Sequence, residues 1–307
     1  MGQLEDIQVF IRVVEAGGIG KAAEQMAIAK SAVSRRLAEL EARLGVKLLN
    51  RTTRSQKLTE TGEQYYQRSL QIINELSELN NVTADPECAL HGTLRISAPL
   101  SFGLAHLTPA LDSFIKEHPH LKLDVEFNDH LIDLVGGGFD LAFRISDLED
   151  STLQARHICP IRFVVCASPQ YLAEHGTPQH PDDLKHHKVL RYSLYGSNTW
   201  TFQDKDKQEH SVTTSARIAA NNGDFLTGMA VANHGILINP TFISWRALAL
   251  GELVPILEDY SIASVNAYAV YPQTRHLSRR TRLLINYLVE RFGNNPYWDQ
   301  NLPMKAL

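Results

Sequence analysis

Apolar residues recur every three or four positions from Leu4 to Leu79, but from Leu94 onward they come in runs of strand length alternating with helical stripes. Helices and strands bury different faces of a chain, so this change of period divides the sequence into a helical unit and a later α/β unit. Its 307 residues leave room for about two domains of roughly 150 residues each. A hydrophobic content of 44% excludes a disordered chain. No apolar stretch approaches the roughly 20 residues of a membrane-spanning helix, which predicts no membrane contact. Glu5 and Asp6 stand where a secretory signal would carry Lys or Arg ahead of an apolar run, and the three cysteines, Cys88, Cys159 and Cys166, lack CxxC spacing. These features predict a cytoplasmic protein.

Within the helical unit, Leu4, Ile7, Phe10, Ile11 and Val14 form one stripe that Gly17 and Gly18 end. Lys21 to Met26 predicts a second short helix with Ala22, Ala23 and Met26 inward, and Ser31 reads as the N-cap of a third. With Val33 set at zero and about 100° per residue, Leu37, Leu40 and Leu44 fall within about 40° of it. Ser31, Ser34, Arg35, Ala38 and Ala42 lie roughly opposite. One face is core; the other is small, polar and basic, which suits a helix whose side chains reach base edges in a groove. Gly45 ends this helix, and Asn50 to Thr59 reads as a polar, cationic hairpin, a wing. Residues 1–62 hold ten Lys or Arg against seven acids, a charge of +3, which leaves −7 for the remainder of the total of −4. Between Arg43 and Thr59 there are five cations and no acid, a footprint for a polyanion or a solvated basic face.

The run from Ala22-Ala23 through Ser31-Ala32-Val33-Ser34-Arg35, then Leu40-Glu41, Leu44 to Arg54 and Leu58-Thr59-Glu60-Thr61-Gly62 closely resembles the winged helix-turn-helix of LysR-type transcriptional regulators. Geometry and resemblance together imply double-stranded DNA as a partner, contacted by Lys30, Ser31, Ser34 and Arg35 on the helix and by Arg51, Thr53, Arg54 and Lys57 on the wing. Two departures stand out: Gly18 and Gly20 replace the family's usual hydroxyls, and Lys30 replaces a common glutamine.

Thr61 with Gln64 reads as a capping box opening a longer helix in which Tyr66, Leu70, Ile73, Leu76 and Leu79 step by three or four. Its place between two units makes Tyr66, Leu70, Ile73 and Leu76 the candidate dimer seam. Asn80-Asn81 and Asp85-Pro86 are expected to break it, leaving residues 83–91 as linker. The predicted organisation is a DNA-binding domain over 1–60, a dimerisation helix and hinge over 61–90, and an effector domain over 91–307.

That last region reads as β-α-β-α-β: strand 94–97, a helix through Leu104, Leu107, Leu111 and Phe114, alternation at Leu121, Leu123, Val125 and Phe127, a helix through Ile132 and Leu134, glycines 136–138, and strand 141–145. A second set begins at Phe163-Val164-Val165-Cys166. The resemblance implies two α/β lobes like those of a type II periplasmic binding protein, with lobe I at about 91–163 and 270–307 and lobe II at about 164–269. It also implies a homodimer or homotetramer and RNA polymerase as a further partner, while the lack of a Walker loop, GxGxxG, GxSxG or HExxH motif predicts no catalysis and no cofactor.

In parallel α/β lobes ligands lie at the carboxyl ends of strands. Pro99, Ser101 and Phe102 follow the first strand, Asn128 the second and Arg144 the third. The resemblance places the family's effector contacts on Ser101 and around Asn128, and implies added contacts from the second lobe at Asn222 before a later helix and Ser168 after Cys166. Free N–H groups after Pro99 and the Arg144 cation suggest a small anionic organic effector, although Arg144 has a salt bridge to Asp147 as its alternative. Three other readings remain open. His175, His180, His186 and His187 suggest a metal site or a solvated loop, and the better expectation is no metal. A solute-binding protein or enzyme could use the same scaffold, and cysteine oxidation could replace the ligand, although Cys166 in an apolar run reads as a buried, inert thiol.

Overall fold

The computed structural model describes residues 2–51, 56–84, 90–130, 132–134, 136–146, 154–194, 199–272, 277–300 and 302. The helical unit consists of α1 (Gln3–Glu15), α2 (Ile19–Gln25), α3 (Lys30–Leu44) and a two-stranded antiparallel wing, β1 (Leu49–Arg51) and β2 (Gln56–Leu58). Val9, Phe10, Val13, Ala22, Ala23, Val33, Leu37, Leu40, Leu48 and Leu49 are its core, so the apolar face calculated for α3 is the buried one. Three local expectations need correction. The second helix starts at Ile19, two residues early, because Gly18 at φ 156° takes the cap position. Ser31 lies inside the first turn of α3, whose cap is Ala29 with no side-chain hydrogen bond. Thr59, not Thr61, caps the next helix: its Oγ1 accepts from the Gly62 N–H at 2.9 Å.

That helix, α4, runs Glu60–Ala84 without a break at Asn80-Asn81, since two helix-tolerated asparagines cannot stop a ladder that proline would. Tyr65 and Tyr66 at its start pack on the helical core, with the Tyr66 ring edge-on to Phe10 at 6.3 Å. Tyr66 therefore takes part in the head's own packing while remaining half-buried.

Lobe I is built on β3 (Gly92–Ala98), α5 (Leu100–Phe102) continuing through a π-helical turn (Gly103–Leu107) into α6 (Thr108–Glu117), β4 (Leu121–Phe127), β5 (Leu141–Ser146) and β6 (Gln154–Ile161). The predicted helix through Ile132 and Leu134 is a turn: the Asp133 carbonyl accepts from Gly137 N–H and its carboxylate from Gly136 N–H, both at 2.9 Å, and three glycines do not sustain a helix. Lobe II holds β7 (Phe163–Ala167), α7 (Pro169–His175), β8 (Val189–Tyr192), the hairpin β9 (Thr199–Gln203) and β10 (Glu209–Thr213), β11 (Ala216–Ala220), α8 (Gly223–Val231), β12 (Ile236–Pro240), α9 (Thr241–Ala249) and β13 (Val254–Pro255). The chain then returns through β14 (Val265–Tyr271) and closes with α10 (Arg279–Phe292).

The sheet orders are β4-β3-β5-β14-β6 and β11-β8-β12-β7-β13. Because β14 pairs with β5 and β6, the return to lobe I falls at Val265, not at residue 270. β3 is parallel to β4 and β5, and β8 to β11 and β12, while β7 runs antiparallel to β12. Among the described residues no helix is long and apolar enough to cross a membrane.

Candidate DNA interface and effector cleft

On α3 the buried Val33, Leu37 and Leu40 stand opposite exposed Lys30, Ser31 and Arg35, with Ser34 half-buried between. Arg35 makes only a loose 3.8 Å pair with Glu39, both well exposed, which solvent screens to little energy. Arg36 and Arg43 are spent differently: Arg36 Nη1 lies 2.7 Å from Glu5 and Arg43 Nη2 3.1 Å from the buried Asp6. They tie α3 to α1. On the wing, Lys57 is exposed, while Thr53 and Arg54 lie outside the described residues, and of Arg51 only the backbone pairing is described.

Glu41 was absent from the sequence-level candidates, and it holds the wing. Its buried carboxylate accepts from the N–H groups of Leu48 (3.0 Å) and Leu49 (3.3 Å) through one oxygen and from Lys47 Nζ (2.7 Å) through the other. Burial alone would raise this carboxyl, but those three donors outweigh it and hold it below the usual carboxylate range. From the other side Thr59 Oγ1 donates to the Lys47 carbonyl at 2.7 Å, and Gly62 lets α4 approach so closely that a Cβ there would stand 2.0 Å from the Leu48 carbonyl oxygen. The turn between α3 and β1 is thus gripped by α3 and by the start of α4. A sequence signal existed: Glu41 lies about 80° from Val33, at the edge of the apolar face rather than opposite it. Two of the five cations in the basic stretch, Arg43 and Lys47, are consequently neutralised within the head.

The candidate effector cleft is the place where the parallel strands of the two lobes end. Pro99 caps α5, and the next N–H, that of Leu100, already donates to Asp129 Oδ1 at 3.2 Å. Ser101 Oγ donates across the cleft to Asp224 at the start of α8. Asn222 caps α8, its Oδ1 accepting from Phe225 N–H at 2.8 Å. Asn128 closes a local turn onto His130 N–H. Arg144 is half-buried and donates to the carbonyls of Asn128 (3.3 Å) and Phe143 (3.1 Å) and to Ser97 Oγ (3.2 Å); Asp147 lies outside the described residues. Ser101, Asn128 and Asn222 thus stand at strand or helix ends, Arg144 reaches the Asn128 carbonyl from within β5, and the Ser101–Asp224 bond joins the two lobes.

Two expected contacts do not belong there. Phe102 is 0% exposed, stacked on Phe143 at 4.7 Å and edge-on to Phe242, Phe292 and Trp298, so its ring is core. Ser168 is buried at the opposite end of lobe II: because β7 is antiparallel to β12, the crossover from lobe I falls at Arg162 and β7 then runs away from the cleft. Its Oγ caps α7, accepting from Tyr171 N–H at 3.2 Å, and donates to Asn233 at 2.6 Å.

Beside the cleft, the lobes are joined by an aromatic cluster around His106. Burial pushes its imidazole down to about 4, so the ring is neutral at pH 7. Nε2 faces the Phe242 carbonyl at 2.9 Å and must donate, which leaves Nδ1 to accept from the Tyr297 hydroxyl at 2.6 Å. At the crossover Arg162 pairs with the buried Asp299 at 2.5 Å.

Burial likewise pushes the Cys159 and Cys166 thiols up to about 12, so neither carries the thiolate that redox chemistry needs; Cys88 lies outside the described residues. Among the described residues no group of three or more His, Cys, Asp or Glu is placed to hold a metal ion. His175 instead stacks on Tyr171 at 4.3 Å.

A winged helix-turn-helix head joined by a long helix to a two-lobed ligand-binding domain defines a ligand-responsive DNA-binding protein. Residues 4–63 match the model for the bacterial regulatory helix-turn-helix protein, lysR family, and residues 89–293 match that for the LysR substrate binding domain. The chain belongs to the LysR family of HTH-type transcriptional regulators. It is 36% identical over 293 residues to the transcriptional regulator CrgA of Neisseria meningitidis, covering 95% of this chain and 97% of that one. The solved CrgA structure superposes with a TM-score of 0.61 at 37% identity, covering 94% and 99% of the two chains. The virulence activator AphB of Vibrio cholerae gives 0.59 at 27% identity with the same coverage.

Proposed function

We propose that this regulator acts in the cytoplasm as a homodimer or homotetramer on a pseudo-palindromic site in double-stranded DNA, and that a small organic effector between the lobes changes the spacing of its heads or the bend they impose. The working units are the head over 1–60, the linker helix over 61–90 and the effector domain from 91. RNA polymerase is a further proposed partner, since a regulator bound beside a promoter meets it there. Lys30, Ser31, Ser34 and Arg35 read bases, while Arg51, Thr53, Arg54 and Lys57 contact the backbone or minor groove. The effector contacts Ser101, Asn128, Arg144 and Asn222. One observation carries the DNA reading: the exposed face of α3 holds Lys30, Ser31 and Arg35 while its other face is fully buried and its remaining arginines are tied to α1.

Lys57→Ala should weaken binding to most sequences and lower the slope of log affinity against log salt by about one. Arg35→Ala should instead change the preferred base at one position by about 1–3 kcal/mol. Gel shifts across salt concentrations and a binding-site selection check both. A selection returning the wild-type consensus from Arg35→Ala, with an unchanged slope for Lys57→Ala, would remove the assignment of this face to DNA.

The proposed self-association surface is the stretch of α4 carrying Tyr66, Leu70, Ile73 and Leu76, which the single chain leaves half-buried. Ile72 on the same stretch is 47% exposed. Leu70→Glu would bury an unpaired charge in such a seam at a cost of several kcal/mol. It is expected to lower the sedimenting mass and operator affinity together while the effector domain keeps its unfolding transition; a mutant of unchanged mass and affinity places the seam elsewhere.

A further inference from the structure

Two donors that an anion at Ser101 would need are already given to acidic side chains. The hydroxyl proton of Ser101 is given to Asp224, and the Leu100 N–H is given to Asp129. Arg144 is engaged by two carbonyls and Ser97. Asp224 itself is exposed in the first turn of α8, and among the described residues no cation pairs with it. A carboxylate approaching Ser101 would meet a hydroxyl with no proton to spare and a like charge directly behind it. A protonated amine has three donors and no acceptor, and it would meet the Asp224 carboxylate and the lone pairs of Ser101 together. Leu100 and Phe225, the chain neighbours of this pair, are exposed apolar side chains at 36% and 51%.

We infer that the effector presents a protonated amine on an alkyl or aryl body to Asp224 and Ser101, which makes Asp224 the residue that sets its class. This replaces the anionic head group expected from sequence, and it rests on the reading that the effector lies between the lobes. On arrival the amine takes over Asp224 from Ser101, so the hydrogen bond that joins α5 to α8 in the free protein is exchanged for one through the ligand. Asp224 was invisible to the strand-end argument because its significance depends on facing Ser101, 123 residues away in sequence.

The test is calorimetric titration and thermal unfolding of the full chain with matched probes on one skeleton: butylamine to hexylamine and phenethylamine, each beside the carboxylate of equal length. At least one amine should bind the wild type about tenfold or more tightly than its carboxylate partner, and Asp224→Asn should weaken that amine by about tenfold to a hundredfold. Asp224→Asn keeps the shape and an acceptor for Ser101, and its own unfolding transition reports whether it folds. Carboxylates binding as well as amines, or no amine binding up to about 10 mM, overturns the inference. A carboxylate whose affinity falls in Ser101→Ala would leave the cleft as the effector site and remove only the amine class. A probe with the same affinity for wild type, Ser101→Ala and Asp224→Asn would remove the cleft placement as well.

Discussion

Phe102→Ala is expected to destabilise the effector domain by about 4 kcal/mol, the range for deleting a fully buried aromatic ring from a packed core. The ring is 0% exposed and is enclosed by Phe143, Phe242, Phe292 and Trp298. Phe242 belongs to α9 of lobe II, so the cavity would open at the contact that joins the lobes. For a domain of this size the unfolding midpoint should fall by about 10 °C, measured by calorimetry on the full chain. Effector response would be lost only as a consequence of unfolding. A variant that keeps its midpoint within about 2 °C yet no longer responds would show that the ring serves the ligand directly.

Glu41→Ala is expected to cost the head about 3 kcal/mol and most of its operator affinity, because two N–H groups facing the interior, those of Leu48 and Leu49, lose their acceptor. Lys47 contributes little to that figure, since its ammonium is 73% exposed and screened. The carboxyl is depressed in the folded head, so its contribution is fully present above the unfolded value of about 4.3 and is lost as pH falls through the lower folded value. Acid titration of the head's unfolding should therefore show wild type losing stability below about pH 4.3, with Glu41→Gln flatter over the same window. If Glu41→Ala retains wild-type operator affinity and acid stability, the grip on the wing is redundant and Thr59 and Gly62 suffice to hold the turn.

Local periodicity determined much of this protein. The apolar face of α3, the strands at 94–97, 121–127 and 141–145 and the boundary between helical and α/β units all follow from which residues within a few positions are apolar, and the wing from a polar, cationic run, each readable one element at a time. Family resemblance extended this to the two-lobe architecture and supplied the proposed DNA-contacting set. Cap positions were less secure: Ser31 and Thr61 carry the right side chains, yet Ala29 and Thr59 take the positions because the wing and the preceding turn decide where each helix begins.

The cleft was decided by tertiary structure. A strand-end rule assumes the strand is parallel; β7 carries Ser168 away from the cleft because its direction depends on its partner β12, and direction is not encoded in the run Phe163-Val164-Val165-Cys166. Phe102 follows a strand end as Ser101 does, but one residue along a helix turns the side chain about 100° and sends it inward. Glu41, Asp6 and Asp224 look like solvated acids in sequence and become a wing clamp, an anchor for α3 and a cleft acceptor only because of what faces them across the fold. Hydrophobic patterning acts over one or two turns, whereas the meaning of a charged or polar side chain is set by its partner, and that partner is assigned by long-range packing.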